Sequence, residues 1–231
     1  EIVQDLKQNK PMLRLVQGDV GAGKTLVAGV AACHALEEGW QVALMAPTEI
    51  LAEQHYLNFK KWFEPLGLNV SWLSGKQKGK ARAAAEQGIK EGTANLVVGT
   101  HALFQENVGF AKLGLVIIDE QHRFGVDQRL ALRNKGANNM TPHQLVMTAT
   151  PIPRTLAMSA YGDLDTSVID ELPPGRTPIQ TVTIPLDRRE EVLARIASNC
   201  AEGKQAYWVC TLVEQSETLD AQAAEATYQE I

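Results

Sequence analysis

At 231 residues the chain is long enough for one complete domain and part of another. Its 45% hydrophobic and 21% charged residues are typical of a globular protein, and no apolar run predicts a membrane span, a membrane partner or a signal peptide. The net charge of −5 excludes nucleic-acid binding through bulk positive charge, whereas backbone amides and hydroxyls can still bind phosphates. The three widely spaced cysteines predict free thiols in a reducing cytosol.

Strand-like and helix-like stretches alternate along the first 150 residues. The amino end, residues 1–10, is typical of the last turns of a helix that begins outside the chain. Apolar runs that predict strands cover residues 12–17, 41–47, 69–73, 95–99, 114–119 and 143–149. Helical patterns follow the first three runs: from about 24 to 38, up to Phe63, and in the alanine-rich segment before residue 95. Strands separated by helices of this length form right-handed crossovers, so we predict an α/β fold with a parallel sheet.

The pattern is interrupted at ELPPGRTP, residues 171–178. Three prolines and a glycine within eight residues cannot continue a helix or a central strand. Beyond this segment, the predicted strands IQTVTIP and QAYWVCT flank a predicted helix near 188–200. We therefore predict a first domain at 1–170, a linker at 171–178, and the truncated start of a second domain of the same kind at 179–231.

The first predicted strand leads into GDVGAGKT, residues 18–25, which fits the phosphate-loop pattern G-x-x-x-x-G-K-[ST]. Its glycines allow a tight turn in which successive backbone N–H groups face one anion at a helix N-terminus. The predicted nucleotide-binding residues are Gly18, Asp19, Val20, Gly21, Ala22, Gly23, Lys24 and Thr25. Lys24 is expected to reach the outer phosphates of ATP, and the Thr25 hydroxyl to ligate Mg²⁺. A glycine-rich turn with a chance lysine is the alternative, which the flanking strand and helix disfavour.

Two adjacent acids, Asp119 and Glu120, follow the apolar run at 115–118. Open α/β sheets place their ligands at the carboxyl ends of strands, where this pair emerges. We predict that Asp119 completes the Mg²⁺ shell opposite Thr25, and that Glu120 orients or deprotonates the water that attacks the γ-phosphate. Glu120 and Lys24 are thus the predicted catalytic residues. Taken alone, the pair has an alternative explanation, since two acids can simply end a strand on the solvent side.

The remaining motifs resemble those of superfamily 2 helicases and occur in the same order. The segment DEQH (119–122) has the DExH form of the second motif. Motif Ia is similar to APTEILAEQH (46–55), motif Ib to VGTHALF (98–104), and motif III to the start of TATPIPRTL (148–156). Together, DEQHRFGV, MTATPIPRT and DELPPGRTP resemble the RecG-type branched-DNA helicases. The transcription-repair coupling translocases share HRFGV and TATPIPRT, but DEEH is expected there.

This resemblance implies a P-loop NTPase motor with two RecA-like domains, which uses ATP and Mg²⁺ to move on duplex DNA. Its substrates would be replication forks and Holliday junctions in recombination and repair, on the bacterial nucleoid in the cytoplasm. By the same resemblance, Gln121, His122, Thr148 and Thr150 would relay the nucleotide state to the DNA side. Adenine contacts would lie before residue 1, and the arginine finger after residue 231. The wedge domain and the rest of the second motor domain would be partners, so this fragment alone should be nearly inactive.

Three residues are predicted to contact the DNA backbone. Thr48 and Thr100 each follow a strand and precede a helical stretch, where a hydroxyl and N-terminal amides can hold a phosphate without sequence preference. His101 joins them through the motif Ib resemblance. The alternatives are that the threonines only cap helices and that His101 belongs to a surface loop. The basic run at 75–82 is either a solvated helix start or a DNA-facing patch.

Two other classes of function stay open at this level. One is a translocase of the transcription-repair coupling type. The other is a nucleotide-regulated binding module without motor action, which would bind ATP but show no DNA-stimulated turnover.

Overall fold

The computed structural model describes residues 1–105, 107–120, 140–150, 164–173, 175–177, 179–210, 224, 227 and 228. The chain divides into two compact units, residues 1–176 and residues 177–231. The division into 1–170, 171–178 and 179–231 stays a prediction.

A seven-stranded parallel sheet forms the centre of the first unit. Its strands are β1 (Leu13–Gly18), β2 (Gln41–Met45), β3 (Val70–Leu73), β4 (Leu96–Gly99), β5 (Leu113–Asp119), β6 (His143–Thr148) and β7 (Asp165–Ile169). They lie in the order β3-β4-β2-β5-β6-β1-β7, and all neighbouring pairs run parallel. The six predicted strands are all present, and the predicted parallel α/β fold of the RecA-like kind is confirmed.

The helices of this unit begin and end close to the predicted positions. They are α1 (Ile2–Leu6), α2 (Lys24–Glu37), α3 (Glu49–Phe63) and α4 (Gly79–Glu91), with short 3-10 helices at Glu64–Leu66 and His101–Phe104. Thr48 is the N-cap of α3, where its Oγ1 accepts the backbone N–H of Leu51 at 3.3 Å. Gly92 ends α4 in a left-handed conformation with φ of 77°, which a glycine adopts without steric cost.

Apolar side chains are buried on both faces of the sheet. On one face, the alanines of α2 let that helix approach the strands closely, and Phe59 and Phe63 of α3 complete the cluster. On the other face, Ile89 of α4 and Leu103 pack against the neighbouring strands. Burial on both faces explains why the central strands have continuous apolar runs instead of an alternating pattern.

Strand β7 was not predicted from the sequence. Among the described residues it pairs with β1, and its own residues are exposed or half-buried, so it lacks the apolar run that identifies a central strand. The buried Arg14 of β1 connects it to α1. The guanidinium of Arg14 donates to Ser167 Oγ at 2.9 Å and to Asp5 Oδ2 at 2.7 Å. Polar anchoring of this kind has no periodic sequence pattern.

In the second unit the predicted helix is present, as α5 (Arg189–Ala201), preceded by a 3-10 turn (Leu186–Arg188). The predicted strands IQTVTIP and QAYWVCT are wrong for the described residues, because 179–185 and 204–210 form no strand. Ile179 and Val209 are 75% and 88% exposed. A strand requires a hydrogen-bonded neighbour, and none of the described residues pairs with these segments. In the ranges that the structure describes, no helix has the length and hydrophobicity that crossing a bilayer requires.

One histidine makes the stability of the fold sensitive to pH. His143 Nδ1 accepts the backbone N–H of Met12 at 3.0 Å, which connects the first residue of β6 to the segment before β1. Burial lowers the pKa of His143 below its ordinary value of 6.5, although the nearby Asp5 carboxylate opposes the shift. The folded state therefore favours the neutral ring. The neutral His143 ring therefore contributes its full stabilisation above pH 6.5. This stabilisation is lost as the pH falls from 6.5 towards the lowered pKa of the folded state.

We expect the free energy of unfolding to fall between about pH 7.5 and about pH 5, and to fall less in His143→Asn. The asparagine retains an acceptor near the position of Nδ1 and does not titrate. Urea unfolding of both proteins at the two pH values measures the difference. An equal loss of stability in both proteins would exclude His143 as the group responsible.

Candidate nucleotide-binding site

The predicted phosphate loop and the acidic pair lie at the same edge of the sheet. The loop follows β1, whose Gln17 is paired with Thr148 of β6. On the other side of β6, Met147 is paired with Asp119 of β5. Neighbouring strands are about 4.8 Å apart, so the ends of β1 and β5 are separated by about 10 Å. The loop and the acidic pair are therefore close enough to face one triphosphate, as the sequence predicts.

Local backbone geometry shapes the phosphate loop. Gly21 and Gly23 have φ of 84° and 93°, a region that L side chains rarely adopt, and α2 begins immediately afterwards at Lys24. The Lys24 ammonium donates to the carbonyl oxygens of Gly18 and Asp19, both at 2.8 Å. The lysine thus closes the loop on itself at the positive end of the α2 dipole, where an anion is stabilised.

An arginine from the predicted linker contacts this loop. Arg176 Nη1 lies 3.0 Å from Asp19 Oδ2 and donates to the Val20 carbonyl at 3.2 Å. Pro173 Cγ would lie 3.4 Å from a Cβ built on Gly21. The ion pair is about one-third exposed, so it contributes little to stability. No sequence signal connects two residues 157 positions apart, so Arg176 was not among the predicted site residues.

Hydrogen bonds connect Glu120 to the end of β6 and to the residue that follows it. Glu120 has φ of 50°, and its backbone N–H donates to the Met147 carbonyl at 2.9 Å. Its Oε2 accepts from the Thr148 hydroxyl at 3.1 Å, and its Oε1 from the Ala149 N–H at 3.2 Å. The Thr148 oxygen also accepts the Thr150 N–H at 3.1 Å. A left-handed backbone in a residue other than glycine costs on the order of 1–3 kcal/mol, and these hydrogen bonds maintain it.

The Asp119 carboxylate is paired with a histidine that the sequence analysis left without a role. His55 Nε2 lies 2.8 Å from Asp119 Oδ2, and the two side chains are only 9% and 14% exposed. Since a carboxylate only accepts, Nε2 is the donor. His55 Nδ1 is buried and has no hydrogen-bond partner among the described residues. One sequence feature could have pointed to a role for His55. It is the last residue of the segment that resembles motif Ia, two helical turns after Thr48.

The predicted magnesium ligands are chemically suited to that ion. Mg²⁺ prefers oxygen ligands, takes few of them from the protein, and completes its shell with water and phosphate oxygens. Thr25 supplies a hydroxyl, and Asp119 a carboxylate of which His55 uses one oxygen. In the part of the chain that the structure describes, no group of three or more His, Cys, Asp and Glu side chains could hold a metal by itself.

The predicted DNA contacts lie on the neighbouring strand ends. Thr48 is exposed and is the N-cap of α3, which was the alternative role predicted for it. Its contact with DNA stays a prediction. Thr100 is buried, and its hydroxyl has no partner among the described residues. His101 is exposed. In the basic run, Lys76 pairs with Glu49 at 2.6 Å. The predicted coupling residues Gln121 and His122 lie outside the described residues.

Residues 1–159 match the family described as DEAD/DEAH box helicase. The ATP-dependent DNA helicase RecG of Escherichia coli strain K12 is 65% identical over the whole chain, which covers 34% of that protein. RecG of Haemophilus influenzae is 64% identical with the same coverage, and RecG of Aquifex aeolicus is 48% identical over 99% of the chain and 29% of that protein. The structure of RecG bound to a three-way DNA junction matches with a TM-score of 0.73 and 46% identity, over 89% of this chain and 27% of that one.

The chain therefore spans about a third of the length of the curated relatives. Their similarity confirms the resemblance to RecG-type helicases, and it extends over the full chain. The match to the family covers more than two-thirds of the sequence and includes the phosphate loop and the acidic pair. On this evidence the chain belongs to the DEAD/DEAH box helicase family.

Proposed function

We propose that this chain is the ATP-binding motor segment of a DNA helicase or translocase that acts on branched DNA. The observation that carries the proposal is the hydrogen-bond network from Glu120 through Thr148 to Thr150. It starts at the end of β5 and continues at the end of β6, the strand next to the one that leads into the phosphate loop. These hydrogen bonds of Glu120 support a role for the acidic pair beyond ending a strand. The relatives named as ATP-dependent DNA helicases, and the one bound to a three-way junction, support the substrate class.

In this proposal the phosphate loop binds ATP through its backbone amides and the N-terminus of α2. Lys24 exchanges the carbonyls of Gly18 and Asp19 for oxygens of the outer phosphates. Thr25 and Asp119 would hold Mg²⁺, which would neutralise negative charge on the phosphates. Glu120 orients the attacking water and accepts its proton, because the carboxylate is fixed by two hydrogen bonds on a rigid strand end.

The same hydrogen bonds provide a route from the nucleotide to the DNA side. A change of charge or water structure at Glu120 alters its bonds to the Thr148 hydroxyl and the Ala149 amide, and through Thr148 the position of Thr150. Gln121 and His122 extend this relay by resemblance. The relay ends at the residues that bind the phosphodiester backbone. We propose Thr48, Thr100 and His101 as these residues.

The proposal also includes parts that this chain does not supply. A second motor domain, of which 179–231 is the start, contributes the arginine finger, and a wedge domain splits the DNA arms. The protein works on the bacterial nucleoid in the cytoplasm. ATP binding closes the two motor domains, and hydrolysis with product release reopens them.

A DNA-stimulated ATPase assay tests the proposal. We expect the full-length protein to hydrolyse ATP faster with a fork or a Holliday junction than with linear duplex of equal length. We expect the 231-residue chain to turn over about 10³-fold or more slowly, because an arginine finger contributes on the order of 10³–10⁵ in rate.

Three other outcomes of this assay would each contradict a different part of the proposal. Equal stimulation by linear duplex would overturn the branched-DNA assignment. ATP binding without any DNA stimulation in the full-length protein would indicate the binding module instead. Robust DNA-stimulated turnover by the 231-residue chain would show that no residue outside it is needed for hydrolysis.

A further inference from the structure

The hydrogen bond between His55 and Asp119 joins two elements to which the proposed function gives separate tasks. His55 lies in α3, the helix that begins after Thr48, a proposed DNA contact. Asp119 ends β5 and is a proposed magnesium ligand. At 2.8 Å and almost fully buried, the contact is well shielded from competing water. Nothing in the hydrolysis mechanism above requires a histidine at this point.

Aromatic packing fixes the orientation of the His55 ring. The ring meets Phe59 edge to face, with centroids 6.4 Å apart and an interplanar angle of 77°. Phe59 is fully buried and packs against Trp62, with centroids 5.3 Å apart. Trp62 in turn lies 3.0 Å from the position of a Cβ on Gly29 in α2. The imidazole is therefore held relative to the helix whose first turn carries the phosphate-loop lysine and threonine.

We propose that His55 is a positioning residue that orients the Asp119 carboxylate towards Mg²⁺ and ties it to helix α3. The inference rests on the proposed function, since it takes the nucleotide site as given. By donating to Oδ2, the ring restricts rotation of the carboxylate and leaves Oδ1 for the ion that Asp119 would help to hold. Partners of this kind orient metal ligands, and their loss typically costs 10–100-fold in metal affinity or activity.

The position of His55 in α3 extends this role to coupling. Thr48 and His55 are seven residues apart, which corresponds to about 10 Å along one helix. Helix α3 has 15 residues, and its Phe59 and Phe63 are buried in the core, so we expect it to move as one body. A phosphate held at its amino end and the Asp119 carboxylate are therefore connected through a single rigid element, independently of the Glu120–Thr148 route.

Two substitutions at His55 separate the hydrogen bond from the packing. His55→Phe keeps a ring of similar size and removes the donor, whereas His55→Gln places an amide N–H near the position of Nε2. Tyr56→Phe is the matched control, because it removes one polar group from the adjacent position of the same helix. All are made in the full-length protein, and thermal unfolding without nucleotide reports whether the fold is retained.

The first measurement is the Mg²⁺ dependence of binding of a fluorescent N-methylanthraniloyl ADP. We expect His55→Phe to raise the half-saturating Mg²⁺ concentration about tenfold, with nucleotide affinity in the absence of Mg²⁺ unchanged. His55→Gln and Tyr56→Phe should stay within about threefold of the wild type. An unchanged Mg²⁺ dependence in His55→Phe would overturn the proposal. So would an equal loss in both His55 variants with weakened metal-free binding, because that pattern indicates a structural role.

The second measurement is the stimulation of ATP hydrolysis by fork DNA at saturating Mg²⁺. We expect His55→Phe to lower the fold-stimulation about tenfold through kcat, with the KM for ATP and the affinity for DNA unchanged. Full stimulation in this variant would overturn the coupling role. If the wild type shows no DNA stimulation at all, the proposed function fails, while the Mg²⁺ titration still decides the role of His55.

Discussion

Glu120→Gln in the full-length protein is expected to bind ATP with nearly unchanged affinity and to hydrolyse it about 100-fold or more slowly. A positioned general base contributes roughly 10²–10⁴ in rate, and the amide cannot accept the proton of the attacking water. The fold should be retained, since the Gln oxygen can accept the Ala149 N–H and its NH₂ can donate to the Thr148 oxygen. Single-turnover hydrolysis with prebound ATP measures the chemical step, and equilibrium titration measures binding.

A matched change far from the site controls for the loss of one carboxylate. Glu38 follows α2, about 20 Å along that helix from the phosphate loop, so Glu38→Gln should hydrolyse ATP at the wild-type rate. Normal turnover by Glu120→Gln would remove Glu120 from the role of base. A comparable loss in both variants would show that the assay responds to net charge.

Lys24→Ala is expected to abolish measurable nucleotide binding, a loss of about 100-fold or more in affinity. The ammonium would meet two outer phosphate oxygens, and each charge-assisted hydrogen bond contributes about 1.5–3 kcal/mol. The variant also loses both hydrogen bonds that close the loop, to the carbonyls of Gly18 and Asp19, so the loop is less well organised for the phosphates. Titration with a fluorescent ATP analogue in the presence of Mg²⁺ measures the effect.

The control for this substitution is Lys90→Ala, which removes an exposed lysine from the last turn of α4 and should leave binding intact. Circular dichroism and thermal unfolding of Lys24→Ala without nucleotide should match the wild type, because the loop lies outside the core. If Lys24→Ala bound nucleotide within about threefold of the wild type, the loop would not hold the outer phosphates as predicted.

Short-range patterns in the sequence were sufficient for the phosphate loop and for the central strands. The spacing of glycines and lysine in 18–25 depends only on local backbone geometry, and the structure has left-handed glycines and a helix start at the expected positions. Strands buried on both faces need continuous apolar runs, so β5 and its neighbours were predicted correctly. The acidic pair followed from one such strand end.

Tertiary structure alone decided which distant residues meet. The contacts of His55 with Asp119 and of Arg176 with Asp19 depend on strand order and helix packing, which no spacing along the chain encodes. Strand β7 exists because β1 offers it an edge and Arg14 anchors it. The apolar runs beyond 178 form no strand in the described residues, since a strand is stabilised by a neighbour and not by its own residues. The local sequence therefore determined which chemical groups this chain carries, and long-range packing determined which of them are in contact.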